Sequence, residues 1–305
     1  MRKNLLICDV MIDRMEFANF FSPQIIRSSS SLQITGSTNH QTIKFPKGRL
    51  PMAVRSLVVF VTFALLFCLE RRRPLRRTVE SSVRRTGRNL AMAGLAAVAL
   101  RLAEQPMAQK LTTLVERRRW GLLRTASLPK WMDTAVALLM LDYTLYLWHV
   151  LTHRVPWLWR MHVVHHVDLD LDASTALRFH AAELLVSVLW RAGQILCIGV
   201  RRGTLSLWQT LTLLSVLFHH SNVRLPMALE RVLVRFIVTP RMHGIHHSIV
   251  EDETNSNWSS GLTIWDWLHG TLRLDVPQSA ITIGVPAYRA PADVRLCSLV
   301  IMPFR

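Results

Sequence analysis

Eleven of the thirteen histidines fall between His149 and His247. The first cluster reads His149-Val-Leu-Thr-His153, then His162-Val-Val-His165-His166. The second joins His219-His220 to His243-Gly-Ile-His246-His247, with His180 between the two clusters. Imidazole is the commonest metal ligand near neutral pH. Spacings of three and four place two rings about one turn apart on one helix face. An ion held wholly by protein takes about three to five donors, so this set suffices for two ions with a position left open on each. An all-nitrogen set fits iron, zinc or copper and argues against calcium and magnesium, which prefer oxygen. The zinc-protease pattern His-Glu-x-x-His is missing. So is the Glu-x-x-His pair of carboxylate-bridged bundles, so the centre would be dominated by histidine. Packing these rings into an apolar setting without a metal would strand donors and acceptors at about 1–3 kcal/mol each. His40 and His269 stand alone and read as ordinary structural residues.

The elements that must carry these rings are apolar helices. Trp131 to Trp148 is a hydrophobic helix running directly into His149. Pro156 should break it, leaving a short second helix with His162, His165 and His166. Leu184 to Val200 and Thr204 to Phe218 form two apolar arms around Arg201-Arg202-Gly203. At 1.5 Å per residue each arm is about 25 Å long. The chain therefore leaves the site at His180 and returns to it at His219, 39 residues later. Upstream, Val54 to Leu69 is nearly uninterrupted and apolar, close to the length of a spanning helix. Leu90 to Leu102 reads as a second membrane helix. Residues 103–130 read as a basic connection whose Leu111, Leu114 and Val115 would lie on a membrane surface.

Composition agrees. Half of the 305 residues are hydrophobic, mean hydropathy is +0.23 and net charge is +17. The arginines cluster beside apolar runs, above all Arg71, Arg72, Arg73, Arg76, Arg77, Arg84, Arg85 and Arg88. That is the positive-inside pattern of a membrane protein rather than a nucleic-acid face, and it places 71–88 in the cytosol. The four cysteines are isolated and form no CxxC zinc motif. The expected fold is an all-α, multi-pass membrane helical bundle with a cytosol-facing, histidine-rich di-metal site. Its expected parts are a disordered or spurious extension (1–51), membrane helices with an amphipathic connection (52–130), a catalytic domain (131–275) and a tail without clear pattern (276–305).

The boxes also resemble a known family, the membrane fatty acid hydroxylase or sterol desaturase superfamily. The resemblance covers roughly 131–273. It rests on Asp142-Tyr-x-x-Tyr-x-x-His149-x-x-x-His153-Arg-Val-Pro, Trp159-Arg-x-His162-x-x-His165-His166 and Thr175-Ala-Leu-Arg-Phe-His180. It continues in Phe218-His219-His220-Ser-Asn222, Thr239-Pro-Arg-Met-His243-x-x-His246-His247-Ser and Trp265-Asp266-x-x-x-Gly270-Thr271. Carried over residue by residue, it implies His149, His153, His162, His165, His166, His219, His243, His246 and His247 as ligands, with His180 added. His180 is followed by Ala181 where the family usually has Pro. His220 occupies a position where many relatives carry another residue, so its role stays open. His269 stands where the family shows Phe and is not read as a ligand. Asn257-Trp258-Ser259 departs from the common Asn-Tyr-Gly.

The resemblance further implies two iron ions, O2 as co-substrate, and hydroxylation or desaturation of a sterol or fatty acyl lipid. Ligating imidazoles need outer partners that fix the tautomer, and Asp142, Glu183 and Asp266 are the leading candidates, ahead of Asp168, Asp170 and Asp172. No nucleotide-binding glycine motif occurs, so electrons would come from a separate donor: a cytochrome b5-like protein, a ferredoxin or a reductase. The competing reading is a non-catalytic membrane protein that binds metal or haem through the same rings. A third reading, a basic nucleic-acid binder, predicts salt-sensitive binding and solubility without detergent, and the apolar helices argue against it. Deleting residues 1–51 should leave membrane insertion and activity intact, which membrane fractionation and product assay would check.

Overall fold

The computed structural model of this protein describes residues 52–305, so the expected N-terminal extension lies outside the described residues. Helix α1 (Met52–Arg72) opens the described chain. Next, α2 (Ser82–Ala99) passes through a π turn at Leu100–Glu104 into α3 (Gln105–Arg118) and the short α4 (Leu122–Thr125). The histidine-bearing part follows as α5 (Lys130–Arg154), α6 (Pro156–His166), α7 (Ala181–Ile198) and α8 (Arg202–His220). Short helices complete it: α9 (Met227–Leu233), α10 (Pro240–His246), α11 (Glu251–Thr254), α12 (Ile264–Leu268) and α13 (Leu296–Ile301). No β-strand occurs among the described residues; Pro74–Val223, Ile237–Leu262 and Ser248–Ile283 are isolated bridges.

Three described helices are long and apolar enough to cross a membrane: Ala53–Arg72, Lys130–Arg154 and Ala181–Ile198. Their most apolar windows are only 11%, 22% and 22% buried within the protein, so most of that apolar surface faces outward. On α1 the outward row includes Leu57, Val61 and Leu65. Water would penalise such a face, whereas lipid tails accept it.

Two expected membrane segments are corrected. Leu90–Leu102 is the middle of a longer helix whose inward face is polar at Arg85, Arg88, Asn89 and Glu104. The apolar face of 105–118 is turned into the protein. Its Ala108 and Val115 are buried with Ala137, Leu141, Ile195, Leu205 and Trp208, in a core shared by α3, α5, α7 and α8. The expected apolar arms form as α7 and α8, but they pack on other helices, α3 and α5 among them, rather than along each other. In addition, α8 carries enough Ser, Thr and Gln to fall short of a membrane span.

The π turn keeps one buried face continuous. Arg85, Asn89, Met92, Ala96 and Ala99 form a stripe at spacings of three and four. The stripe resumes five residues later at Glu104 and runs on through Ala108, Thr112 and Val115. An i→i+5 turn absorbs that extra residue. Glu104 thereby turns inward, where it accepts from Gln209 Nε2 at 2.9 Å and pairs with Arg191 at 3.6 Å.

The loop between α6 and α7 is held by buried charge. Asp168 accepts from Arg178 at 3.0 Å, Arg85 at 3.3 Å, Arg88 at 3.4 Å and Asn89 Nδ2 at 3.0 Å. Arg85 also pairs with Asp172, and Asp170 accepts the backbone N–H groups of Val79 and Glu80. Thus Asp168, Asp170 and Asp172 touch no histidine; they fasten the loop to α2. Burial alone would raise the Asp168 carboxyl, but Arg178, Arg85 and Arg88 hold it down at about 2. Its stabilising contribution is therefore complete above the unfolded value of about 3.9. It fades as pH falls toward 2. Asp168→Asn leaves the buried Arg178 without its carboxylate and takes one partner from Arg85 and from Arg88, and should cost about 3–5 kcal/mol. Thermal unfolding in detergent checks this, and a wild-type midpoint would contradict it.

The C-terminal stretch is not an unpatterned tail. Leu299 and Met302 pack on Met92, Val163, Val164 and Val167, against the helix that carries His162 to His166.

Candidate metal centre

Each histidine box sits where a helix ends, and the ends converge. His149 and His153 occupy the last turns of α5, which stops at Val155 because Pro156 starts α6. His162, His165 and His166 follow on α6, while α8 delivers His219 and His220 in its last turn. Thr239 caps α10, which carries His243 and His246, and His247 ends it. Gly244 leaves room within this box for the Arg76 guanidinium, which presses on the spot a side chain would fill.

The rings form two groups of four. His149, His153, His162 and His166 bring their ligand nitrogens within 4.8 Å of one another, and so do His165, His220, His243 and His247. His166, His246 and His247 form a third set that joins the two. The His166 and His247 rings stack at 4.3 Å.

Hydrogen bonds on the outer nitrogens decide the tautomers. His149 Nδ1 lies 2.7 Å from the Trp258 carbonyl, and His246 Nδ1 lies 2.8 Å from the Ser256 carbonyl. His165 Nδ1 meets the Arg178 carbonyl at 3.2 Å, and His220 Nδ1 meets that of Val216 at 2.8 Å. A carbonyl oxygen only accepts, so each Nδ1 carries the proton and each Nε2 presents a lone pair. Yet His149 Nε2 and His246 Nε2 face each other at 3.1 Å, and His165 Nε2 and His220 Nε2 at 3.0 Å. Two lone pairs at that distance repel unless a cation lies near both. Protonating a ring is no escape for His165 and His246, because burial first, then neighbouring rings, drives their pKa down, to about 3 for His246. Two nitrogens about 2.1 Å from one metal ion at a right angle are themselves about 3 Å apart. The arrangement therefore fits a metal ion beside each facing pair, one at His149 and His246 and one at His165 and His220. Buried nitrogens without partners agree: His153 Nε2, His162 Nε2, both nitrogens of His166 and both of His219.

The expected site residues separate as follows. His149, His153, His162, His165, His166, His243, His246 and His247 meet as expected. His219 lies beside the second group, with its ring 4.1 Å from His243, though outside the four. His220, whose role the sequence left open, is a full member. His180 is corrected. Its Nδ1 accepts from Ala182 N at 3.1 Å as the cap of α7, and its Nε2 donates to the Val300 carbonyl at 3.1 Å. No lone pair remains for a metal.

Of the carboxylates, Glu183 behaves as expected, accepting from His162 Nδ1 at 2.8 Å. Asp142 and Asp266 touch no ring and act through one loop. Asp142 accepts from Leu262 N at 3.0 Å and Trp265 Nε1 at 2.7 Å, and it presses on Gly261, where a Cβ would collide. Asp266 accepts from Trp258 N and Ser259 N, each at 2.9 Å, and from Thr271 Oγ1 at 2.6 Å. The same Trp258 turns its carbonyl to His149. Asn257, at φ 54, makes the turn and is pinned through its side chain to Met242 O and Arg273 O. A cavity of about 760 Å³ opens beside this loop, lined by Arg154, Asp252, Trp258, Arg273 and Asp275 among others.

Residues 134–271 match the family described as fatty acid hydroxylase, and this stretch holds every ring of both groups. This match covers less than half of the chain and places its likeness to fatty acid hydroxylases in the histidine-bearing part. A cholesterol 25-hydroxylase-like protein of Danio rerio is 31% identical over 144 residues, covering 47% of this chain and 56% of that one. Ornithine lipid hydroxylase OlsE of Rhizobium tropici is 29% identical over 157 residues, covering 52% and 46%. Alkylglycerol monooxygenase of Homo sapiens is 26% identical over 139 residues, covering 46% and 30%. The chain thus spans about half the length of the first two relatives and less of the third. No solved structure matches it.

Two substitutions separate the ring roles. His220→Ala should lower the metal content measured by mass spectrometry. His180→Ala should leave that content unchanged while lowering thermal stability, because it unties α7 from α13. Glu183→Gln should weaken metal retention against a chelator about 10- to 100-fold; wild-type retention would show that the carboxylate charge on His162 is irrelevant.

Proposed function

We propose that this protein is a membrane lipid hydroxylase whose two histidine groups hold two iron ions and use O2 with external electrons. One observation carries the reading: lone pairs facing lone pairs at 3.0 and 3.1 Å, in rings whose outer nitrogens are already committed. Similarity over residues 134–271 to the fatty acid hydroxylase family, and to relatives named as lipid hydroxylases, supports the substrate class, and the three apolar helices support access from a bilayer.

His149, His153, His162 and His166 would hold one ion, and His165, His220, His243 and His247 the other, with His246 and His219 alongside. Bound iron supplies the oxidising power needed to attack an unactivated C–H bond. The chain's own residues do the rest. The carbonyls of Trp258, Ser256, Arg178 and Val216 keep four Nε2 atoms unprotonated and aimed inward. Glu183 withdraws positive charge from His162 and strengthens it as a donor. The near-complete burial of the rings excludes water, and α5, α6, α8 and α10 fix them before substrate arrives. Hydroxylation is the reaction named for the relatives; desaturation at the same site is an outcome the product analysis would reveal. The arginines after α1 favour a cytosolic site, where a separate soluble or membrane-bound donor would deliver electrons.

Lipid analysis of cells with and without the active protein tests this, beside iron content and O2 uptake of the purified chain. The expected result is close to two irons, reductant-dependent O2 uptake with lipid present, and a hydroxylated product. His165→Ala and His246→Ala should abolish the product and lower iron while the protein stays in the membrane. One haem, or metal without O2 uptake, would favour the non-catalytic metal-binding reading.

A further inference from the structure

A second cavity, of about 120 Å³, lies outside the histidine cluster between the segment that follows α1 and the loop near residue 282. It is several times the ~30 Å³ share of one water molecule. Three arginines line it, Arg76, Arg77 and Arg289, against one carboxylate, Asp170. That carboxylate is engaged already, by the Val79 and Glu80 backbone N–H groups at 2.9 Å and by Arg85 at 3.9 Å. Arg76 is fixed through its backbone, which exchanges 2.9 Å hydrogen bonds with the Asn222 side chain. Its Nη1 donates to Gln278 Oε1 at 2.6 Å and to the Pro240 carbonyl at 3.3 Å. Its Nε and Nη2 are buried and meet no partner. Neither Arg76, Arg77 nor Arg289 forms an ion pair among the described residues.

A buried guanidinium with two idle donors and no ion-pair partner among the described residues is costly. The planar fork of donors suits a tetrahedral oxyanion. We propose that this cavity is a phosphate-binding site, formed by Arg76, Arg77 and Arg289 beside Asn222 and Thr282. The phosphate group comes either from an anionic phospholipid or from solution. The lipid source fits the placement, since Arg76 and Arg77 follow within a few residues of the end of the membrane-length helix Ala53–Arg72. The site shares no residue with either histidine group, so the inference stands whether or not the di-iron reading holds.

The test uses the full chain in phosphatidylcholine nanodiscs. Thermal midpoints are measured with inorganic phosphate, with potassium chloride at equal ionic strength, and with phosphatidylglycerol mixed into the bilayer. Saturable stabilisation by phosphate assigns a soluble ligand; stabilisation by phosphatidylglycerol alone assigns a headgroup. Either supports the proposal, provided that R77Q/R289Q, which alters exposed side chains, weakens it about tenfold or more. That is the scale expected from losing charge-assisted hydrogen bonds. Arg76→Gln should abolish it, while the R77Q/R289Q pair keeps the proposal testable should the Arg76 variant misfold. Equal stabilisation by chloride, no saturable effect from either source, or unchanged affinity in R77Q/R289Q would overturn it.

Discussion

The helix ends that carry the histidines answer to the repulsion between converging imidazole lone pairs. Neutral rings that must all point inward cannot be arranged cheaply. The fold meets that constraint at five rings by assigning the outer nitrogen to a fixed acceptor: three loop or turn carbonyls, one helical carbonyl and one carboxylate. What remains at the centre is a surplus of unprotonated nitrogen that only a cation can relieve. Burial works in the same direction by making imidazolium unfavourable at His165, His166, His243, His246 and His247.

The scaffold behind those acceptors is mostly polar, which is unusual beside apolar helices. The Arg178 carbonyl is steadied because its side chain is clamped by Asp168, Asn89 and the Val164 carbonyl. The Trp258 carbonyl is steadied because its own N–H is held by Asp266, in a loop that Asp142 anchors to α5. Charged residues far from any ring thereby set ring orientation through two covalent and two hydrogen-bonded links. Rigid supports of this kind matter because a ligand set held loosely has no definite geometry to offer a metal.

Much of the site was legible in the sequence, because i+3 and i+4 spacings say which rings share a face and Pro156 says where the first helix must end. Glu183 was readable as a carboxylate beside the site because it lies three residues after His180. The ring it holds is that of His162, 21 residues away, which spacing did not show. What could not be read was the use made of each nitrogen. His180 looks like the other rings, yet a helix start and the Val300 carbonyl consume both of its nitrogens. His220 carried the opposite ambiguity, settled only when α8 and α10 brought it to His243 at 3.0 Å. The arginine run was read as a uniform topological block. The structure divides it: Arg71, Arg72, Arg73 and Arg77 are exposed, whereas Arg85 and Arg88 are buried in ion pairs. Charge alone does not reveal which arginines will find an aspartate some eighty residues away.

The π turn at Leu100–Glu104 carries a lesson about permitted chain length. The helix there holds one residue more than a plain α-helix requires to keep its two inner stripes aligned. Losing a single residue would convert the turn to ordinary α geometry with both stripes still in phase. Gaining one would swing everything upstream by about 100° relative to everything downstream, carrying Arg85 and Asn89 away from their aspartate. Indels at this point are therefore asymmetric: a shorter sibling could share the architecture, and a longer one would have to rebuild it.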